Sequence, residues 1–171
     1  MRRRVLRLPA WIAATFGAAT LARADAPGNQ YDGYSGSCVT ITDAKTGLTW
    51  QRFPPAGLYG YADGASYCSG LGLAPTCPPT PSATWRLPSY KELLTLVDES
   101  PHVNFVTGAT VAIDPNAFPD SPMNAAPVDA PYMTSSLAKG SSSVYVVSFT
   151  DGSATAAGAT QTGFRVRCVT P

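Results

Sequence analysis

The groups in this chain best able to do chemistry are four cysteines, one histidine and eleven carboxylates. Cys38, Cys68, Cys77 and Cys168 form an even set, which in an exported chain reads as two disulfides. The competing chemistry is zinc, which takes four clustered ligands, commonly in close-spaced pairs. No Cys-x-x-Cys occurs, and the only histidine, His102, is far in sequence from every cysteine. Disulfides are therefore the expected chemistry, with no metal. His102 stands beside Pro101 and reads as a solvent-facing loop histidine rather than a general base. Asp63, Asp114, Asp120 and Asp129 could pair as glycosidase carboxylates, which need a fixed separation of roughly 5–9.5 Å, but loop aspartates more commonly solvate turns. There is no Gly-x-Ser-x-Gly elbow and no glycine-rich phosphate loop. The expectation is of no catalytic residue and no cofactor.

The compartment that would let those thiols oxidise is indicated at the N-terminus. "MRRRVLRL" is a cationic region, "PAWIAATFGAATL" an apolar one, and Ala22-Arg23-Ala24 a small-residue cleavage site. Residues 1–24 thus read as a signal peptide, so the mature chain is expected to be exported and not integral to a membrane. The run from Arg2 to Arg7 also fits a twin-arginine pattern. Five of the twelve basic residues lie in this leader, which leaves seven basic against eleven acidic residues, a net charge of −4. That balance argues against nucleic acid as a partner. The remaining 147 residues suffice for one domain with a real core.

What must position any site is a set of short elements. Residues 25–37 are rich in Gly, Asp and Tyr without periodicity and read as a loosely ordered segment. In "CVTITDAKTGLTWQRF", Val39 and Ile41 alternate with threonines, Asp43 to Gly47 form a turn, and residues 48–53 a second strand. This is a hairpin carrying a buried Trp50. "YADGASYCSGLG" predicts a helix capped by Asp63, with Ala65, Cys68 and Leu71 recurring, ended by Gly70 and Gly72. "APTCPPTPSAT" reads as a loop. In "TWRLPSYKELLTLVDES", Ser89 and Glu92 form a capping box, and Tyr90, Leu93, Leu94 and Val97 share one helical face, with Pro101 as the stop. Glu92 is read as a cap rather than a catalytic acid. Residues 101–131 read as a long irregular region. "YMTSS", "VYVVSFTDG" and "FRVRCV" follow as three strands separated by loops 137–143 and 150–163, both faces of the central strand being covered. The order is α+β, and the first and last strands must pair to tie down the termini.

The motifs "TGLTWQR", "WRLP..KELLTLVD", "IDP.AFP.SP", "Y.TSS" and "RVRCV" together resemble the Lcl C-terminal domain family, named for the end domain of the Legionella collagen-like adhesin. The resemblance spans nearly all of a domain placed at residues 38–170. Met133 departs from it, standing where the family usually has Trp, and the Cys77 loop is longer than usual. The resemblance implies a C-type-lectin-like fold, with two helices on a mainly antiparallel sheet whose terminal strands are adjacent. Sequence by itself allows three cysteine pairings. The resemblance implies Cys68–Cys168, which leaves Cys38 with Cys77. Asp114-Pro115-Asn116 matches the letters of a calcium-lectin motif, but no Trp-Asn-Asp accompanies it. Calcium needs six to eight oxygens, so no calcium is expected.

The function expected is non-catalytic recognition of a carbohydrate, glycoconjugate or protein at the cell envelope or outside the cell. A rigid core displaying loops is a common way to build such a surface. Tyr132 and Tyr145 would offer apolar ring faces and Ser135 a hydrogen-bonding group. Arg165 and Arg167 would face the same way and either meet an anionic group or flank the edge of the sheet. A self-associating structural component and a carboxylate-dependent hydrolase are the alternatives.

Overall fold

The computed structural model describes residues 30–32, 38–72, 84–100, 102–103, 108–119 and 130–171. The expected signal peptide, Cys77 and most of the region 101–129 lie outside the described residues. Among the described residues the architecture is mixed α+β, with antiparallel sheets and two helices.

The first sheet gathers the two ends of the domain. Strands β1 (Tyr31–Asp32), β2 (Thr40–Asp43) and β3 (Thr49–Gln51) are completed by β9 (Val169–Thr170), in the order β1-β2-β3-β9. The β2–β3 hairpin forms where expected. Gly47 takes a positive φ of 73° in its turn. The Asp43 carboxylate accepts hydrogen bonds from Lys45 N at 2.8 Å and the Thr46 hydroxyl at 2.9 Å. Trp50 is fully buried, opposite Ile41 and Val169. The expected pairing of early and final strands is therefore present. One correction applies to the segment read as loosely ordered: Tyr31 and Asp32 are paired in register with β2. Tyr31 is held there by its edge-on contact with the Phe118 ring at 5.2 Å.

Helix α1 (Tyr61–Ser69) starts one turn earlier than the aspartate signal predicts. Its N-cap is Gly60 in an extended conformation, and Asp63 lies in the first turn, where a carboxylate still favours the helix dipole. The helix faces the core with Gly64 and Cys68. At Gly64 a Cβ would come 2.6 Å from Met133 Sδ and 3.0 Å from Val166 Cγ2, so glycine permits this close approach.

Helix α2 (Tyr90–Leu94) has the expected capping box. Ser89 Oγ accepts from Glu92 N at 3.3 Å, and Glu92 Oε2 accepts from Ser89 N at 2.7 Å. The helix stops before Val97, shorter than its apolar pattern predicts. The Thr95 hydroxyl donates to the Glu92 carbonyl at 2.7 Å, and residues 96 and 97 bond back three positions rather than four. That tightening brings Leu96 into the core beside Leu93.

Strands β4 (His102–Val103) and β5 (Thr110–Val111) form a small hairpin inside the region read as irregular. The second sheet, β6 (Tyr132–Leu137), β7 (Ser143–Val147) and β8 (Ala154–Gly158), holds two more corrections. Ala154–Gly158 is a strand, not part of a loop. Its alanine-rich sequence has little strand preference, but it pairs with β7 at five consecutive positions. "FRVRCV", by contrast, is not a continuous strand. It makes single bridges at Phe164 and Arg165, and only Val169–Thr170 enters a sheet.

This sheet divides two cores. Tyr132, Val147 and Phe149 face Trp50, Leu93, Ile113 and Phe118, whereas Met133, Val144 and Val146 face Cys68, Trp85, Leu87 and Val166. Alternate residues point to opposite faces, so both faces of β7 are covered, as expected. The Cys68–Cys168 disulfide closes the second core, linking α1 to the segment before β9 over a separation of 100 residues. Cys38 is also disulfide-bonded. Its expected partner, Cys77, lies outside the described residues.

Candidate recognition surface

Of the five expected ligand contacts, two lie at the surface and three are buried. Tyr132 is fully buried, its ring 5.1 Å from Phe149. Arg167 is equally buried. Its Nη1 donates to the Gln51 carbonyl at 2.6 Å and the Arg52 carbonyl at 2.9 Å. Its guanidinium lies over the Phe118 ring at 4.6 Å and the Tyr132 ring at 5.5 Å. Arg165 is 1 % exposed, and its backbone is tied to Pro131 and Met133. The reading of these three as outward-facing is corrected. The chain beyond Phe164 runs inside the molecule, so both arginines are shielded from solvent and Arg167 meets carbonyls and rings instead.

Tyr145 and Ser135 do lie at the surface, half-buried and exposed respectively. Tyr145 is on β7, and across the sheet from it is the exposed Ala156. On its other side stands Tyr90, the first residue of α2, with ring centroids 4.6 Å apart and planes 30° from parallel. Ser136 Oγ accepts from Tyr90 N at 2.9 Å, which fixes α2 against β6. Ser135 donates through both backbone N and Oγ to the Pro88 carbonyl, at 2.7 and 3.2 Å. These serines fall within an irregularity of β6 between Met133 and Leu137, which ends with Leu137 itself 59 % exposed. The result is a stacked pair of half-buried tyrosines on a surface braced by hydroxyls. Tyr90 was legible only as a residue of the apolar helix face; its place in the first turn, beside the sheet edge, leaves its ring partly open.

The platform is stiffened by charge at the α2 N-terminus. Arg86 grips Glu92 with two nitrogens, at 2.8 and 2.7 Å. That grip, added to the Ser89 bonds, holds the Glu92 carboxyl down at about 2. Glu92 is thereby committed to the cap and to Arg86, and carries no free acid.

His102 is not the solitary side chain expected from sequence. Its Nε2 lies 2.7 Å from Asp98 Oδ2, with the Asp98 side chain only 2 % exposed and the His102 side chain 31 % exposed. Asp98 also accepts from Ser100 N at 2.8 Å. A buried carboxylate orienting an imidazole is half of a triad, and the other half is a hydroxyl or thiol on the second ring nitrogen. Among the described residues no such nucleophile is hydrogen-bonded to His102. The contact links the exit of α2 to the β4–β5 hairpin.

The remaining carboxylates are turn-formers or lie apart. Asp114 Oδ1 accepts from Asn116 N at 2.8 Å and Ala117 N at 3.3 Å, so it shapes its own turn. Asp63 is exposed on α1. Asp120 and Asp129 lie outside the described residues. Among the described residues no group of three or more His, Cys, Asp or Glu could hold a metal. No described helix is long and apolar enough to cross a membrane.

Comparison with known proteins gives one match. A family model described as the Lcl C-terminal domain covers residues 39–170. No curated protein and no solved structure matches.

Proposed function

The chain belongs to the Lcl C-terminal domain family, and from that premise we propose that it is an exported, non-catalytic recognition module whose ligand is a carbohydrate, glycoconjugate or protein at the cell envelope. Membership supports the reading of a surface-associated, adhesin-like module. The Cys68–Cys168 disulfide fits an oxidising compartment and hence export. A first-helix to last-segment bridge and neighbouring terminal strands also support a C-type-lectin-like relation.

The observation that carries the ligand reading is the half-buried Tyr90–Tyr145 pair. Tyrosine rings offer large apolar faces at low entropy cost, with hydroxyls at the rim, and suit a sugar ring or a peptide side chain. Ser135 lies exposed on the neighbouring strand β6.

The test is binding of the purified mature chain to a broad glycan array, repeated with Tyr145→Ala. Tyr145 is replaceable without emptying a core, so the variant should keep its fold. We expect binding to fall at least tenfold, a loss of about 1.4 kcal/mol or more. An array that stays silent for the parent chain, or binding that survives both Tyr145→Ala and Tyr90→Ala, refutes the reading.

A further inference from the structure

An unpaired strand edge presents a row of backbone donors and acceptors, and proteins commonly blunt such edges. Among the described residues nearly every edge is blunted. On β6 the outer side is taken up by Arg165 and Pro88, through Met133 N to Arg165 O at 3.0 Å and Ser135 N to Pro88 O at 2.7 Å. On β9 it is taken up by Arg86, which exchanges two hydrogen bonds with Val169 at 3.0 and 2.9 Å. β1 is two residues long and carries Asp32, and β4 and β5 are two residues each.

β8 is the exception. It has five residues, Ala154-Thr155-Ala156-Ala157-Gly158, with no charge, no proline and no bulge against β7. Its hydrogen-bonding phase follows from the ladder. Ser148 N donates to Ser153 O, and Ala159 N to Ser142 O, so the closely bonded pairs with β7 fall at Ser153, Thr155, Ala157 and Ala159. The N–H and C=O groups of Ala154 and Ala156 therefore point away from β7, as does the Gly158 N–H. Among the described residues no partner meets Ala154 or Ala156 there.

The occupant is set by what β8 lacks. A foreign extended peptide is selected by pockets for alternate side chains, and Ala154, Ala156 and Gly158 make none. A second β8 needs no pockets. In antiparallel register with Ala156 opposite Ala156, every outward residue of one copy faces an outward residue of the other: Ala154 meets Gly158, and Gly158 meets Ala154. No charged side chain meets its like in that register, because the nearest, Asp151, lies beyond the strand end. We propose that β8 is the self-association edge of this protein, two copies pairing about a two-fold axis at Ala156 to join their three-stranded sheets into one of six strands. The contact is small, below roughly 1,200 Å² in total, and so belongs to weak, concentration-dependent association. Ala156 lies opposite Tyr145 on the same face of the sheet, so the dimer displays both tyrosine pairs on one side. This inference does not depend on what those tyrosines bind.

Sedimentation velocity of the oxidised mature chain over a concentration series tests it. The parent chain should shift from monomer to dimer with rising concentration. Ala156→Pro removes only an outward-facing donor and leaves the bonds of Thr155 and Ala157 to β7, so it should sediment as a folded monomer throughout. Ala156→Lys, which keeps every backbone group, puts two like charges across the axis and should be monomeric at low salt, with the dimer partly restored at high salt. The lysine variant decides alone if the proline variant does not fold. A parent chain that stays monomeric, or an undiminished Ala156→Lys dimer at low salt, overturns the proposal.

Discussion

Glu92 illustrates how one side chain can be spent entirely on structure. Arg86 and the Ser89 backbone hold its carboxyl at about 2, down from an ordinary 4.5. A group whose folded pKa is lowered stabilises fully above its unfolded value and loses that contribution as pH falls toward the folded one. The urea midpoint of the parent should therefore fall between about pH 4.5 and 2, and the Glu92→Gln variant should lack that component. Ser89→Ala, which removes the cap without touching Arg86, should cost about 1 kcal/mol at neutral pH. Arg167 is a second such residue. Replacing it with Met strands the Gln51 and Arg52 carbonyls in the interior, and chemical denaturation should show a loss of roughly 2–4 kcal/mol. Loss of ligand binding by an Arg167 variant would then report unfolding, not a contact.

Among the elements, α1 depends most on a single absent atom. Alanine in place of glycine inside a helix ordinarily stabilises by about 1 kcal/mol. At Gly64 the added Cβ would meet Met133 and Val166 in a filled core, so Gly64→Ala should instead destabilise by about 1–3 kcal/mol. Shortening the obstacle in a Gly64→Ala, Met133→Ala double variant should give a loss smaller than the sum of the single losses, read from thermal unfolding. α2 is the reverse case, where local signals were nearly complete: Ser89, Glu92 and the Tyr90–Leu93–Leu94 spacing named its start and inner face. Its early end was not readable, because Thr95 turns its hydroxyl onto the helix only once Leu96 has a core to enter. β8 was missed for a similar reason. Alanine, threonine and glycine carry no strand pattern, and the pairing with β7 supplies what they lack.

At the scale of the molecule, the Cys68–Cys168 bridge ties α1 to the chain's last segment and stands beside the β3–β9 pairing. A loop of 100 residues closed by a disulfide is worth up to about 4.7 kcal/mol in the chain-entropy model. Replacing both cysteines by alanine should lower stability by about 2–5 kcal/mol by urea unfolding. The tyrosine pair, on the opposite face of the sheet that packs on this bridge, should lose affinity only in proportion to the unfolded fraction. Should glycan or peptide binding vanish while the variant remains folded, the bridge would be shaping the recognition surface directly.

Composition, the capping box, the Trp50 hairpin and five spaced motifs were enough to name an α+β domain of this family, because each is a local pattern or a string of residues. The same patterns left the functional side chains misplaced. Tyr132, Arg165 and Arg167 alternate like surface strand residues, yet they are interior, because the chain carrying the arginines crosses between two cores. His102 looked solitary until the exit of α2 brought Asp98 to it. Which rings face solvent, and which strand edge stays open, depends on how separate segments close over one another. That closure was decided only by tertiary packing.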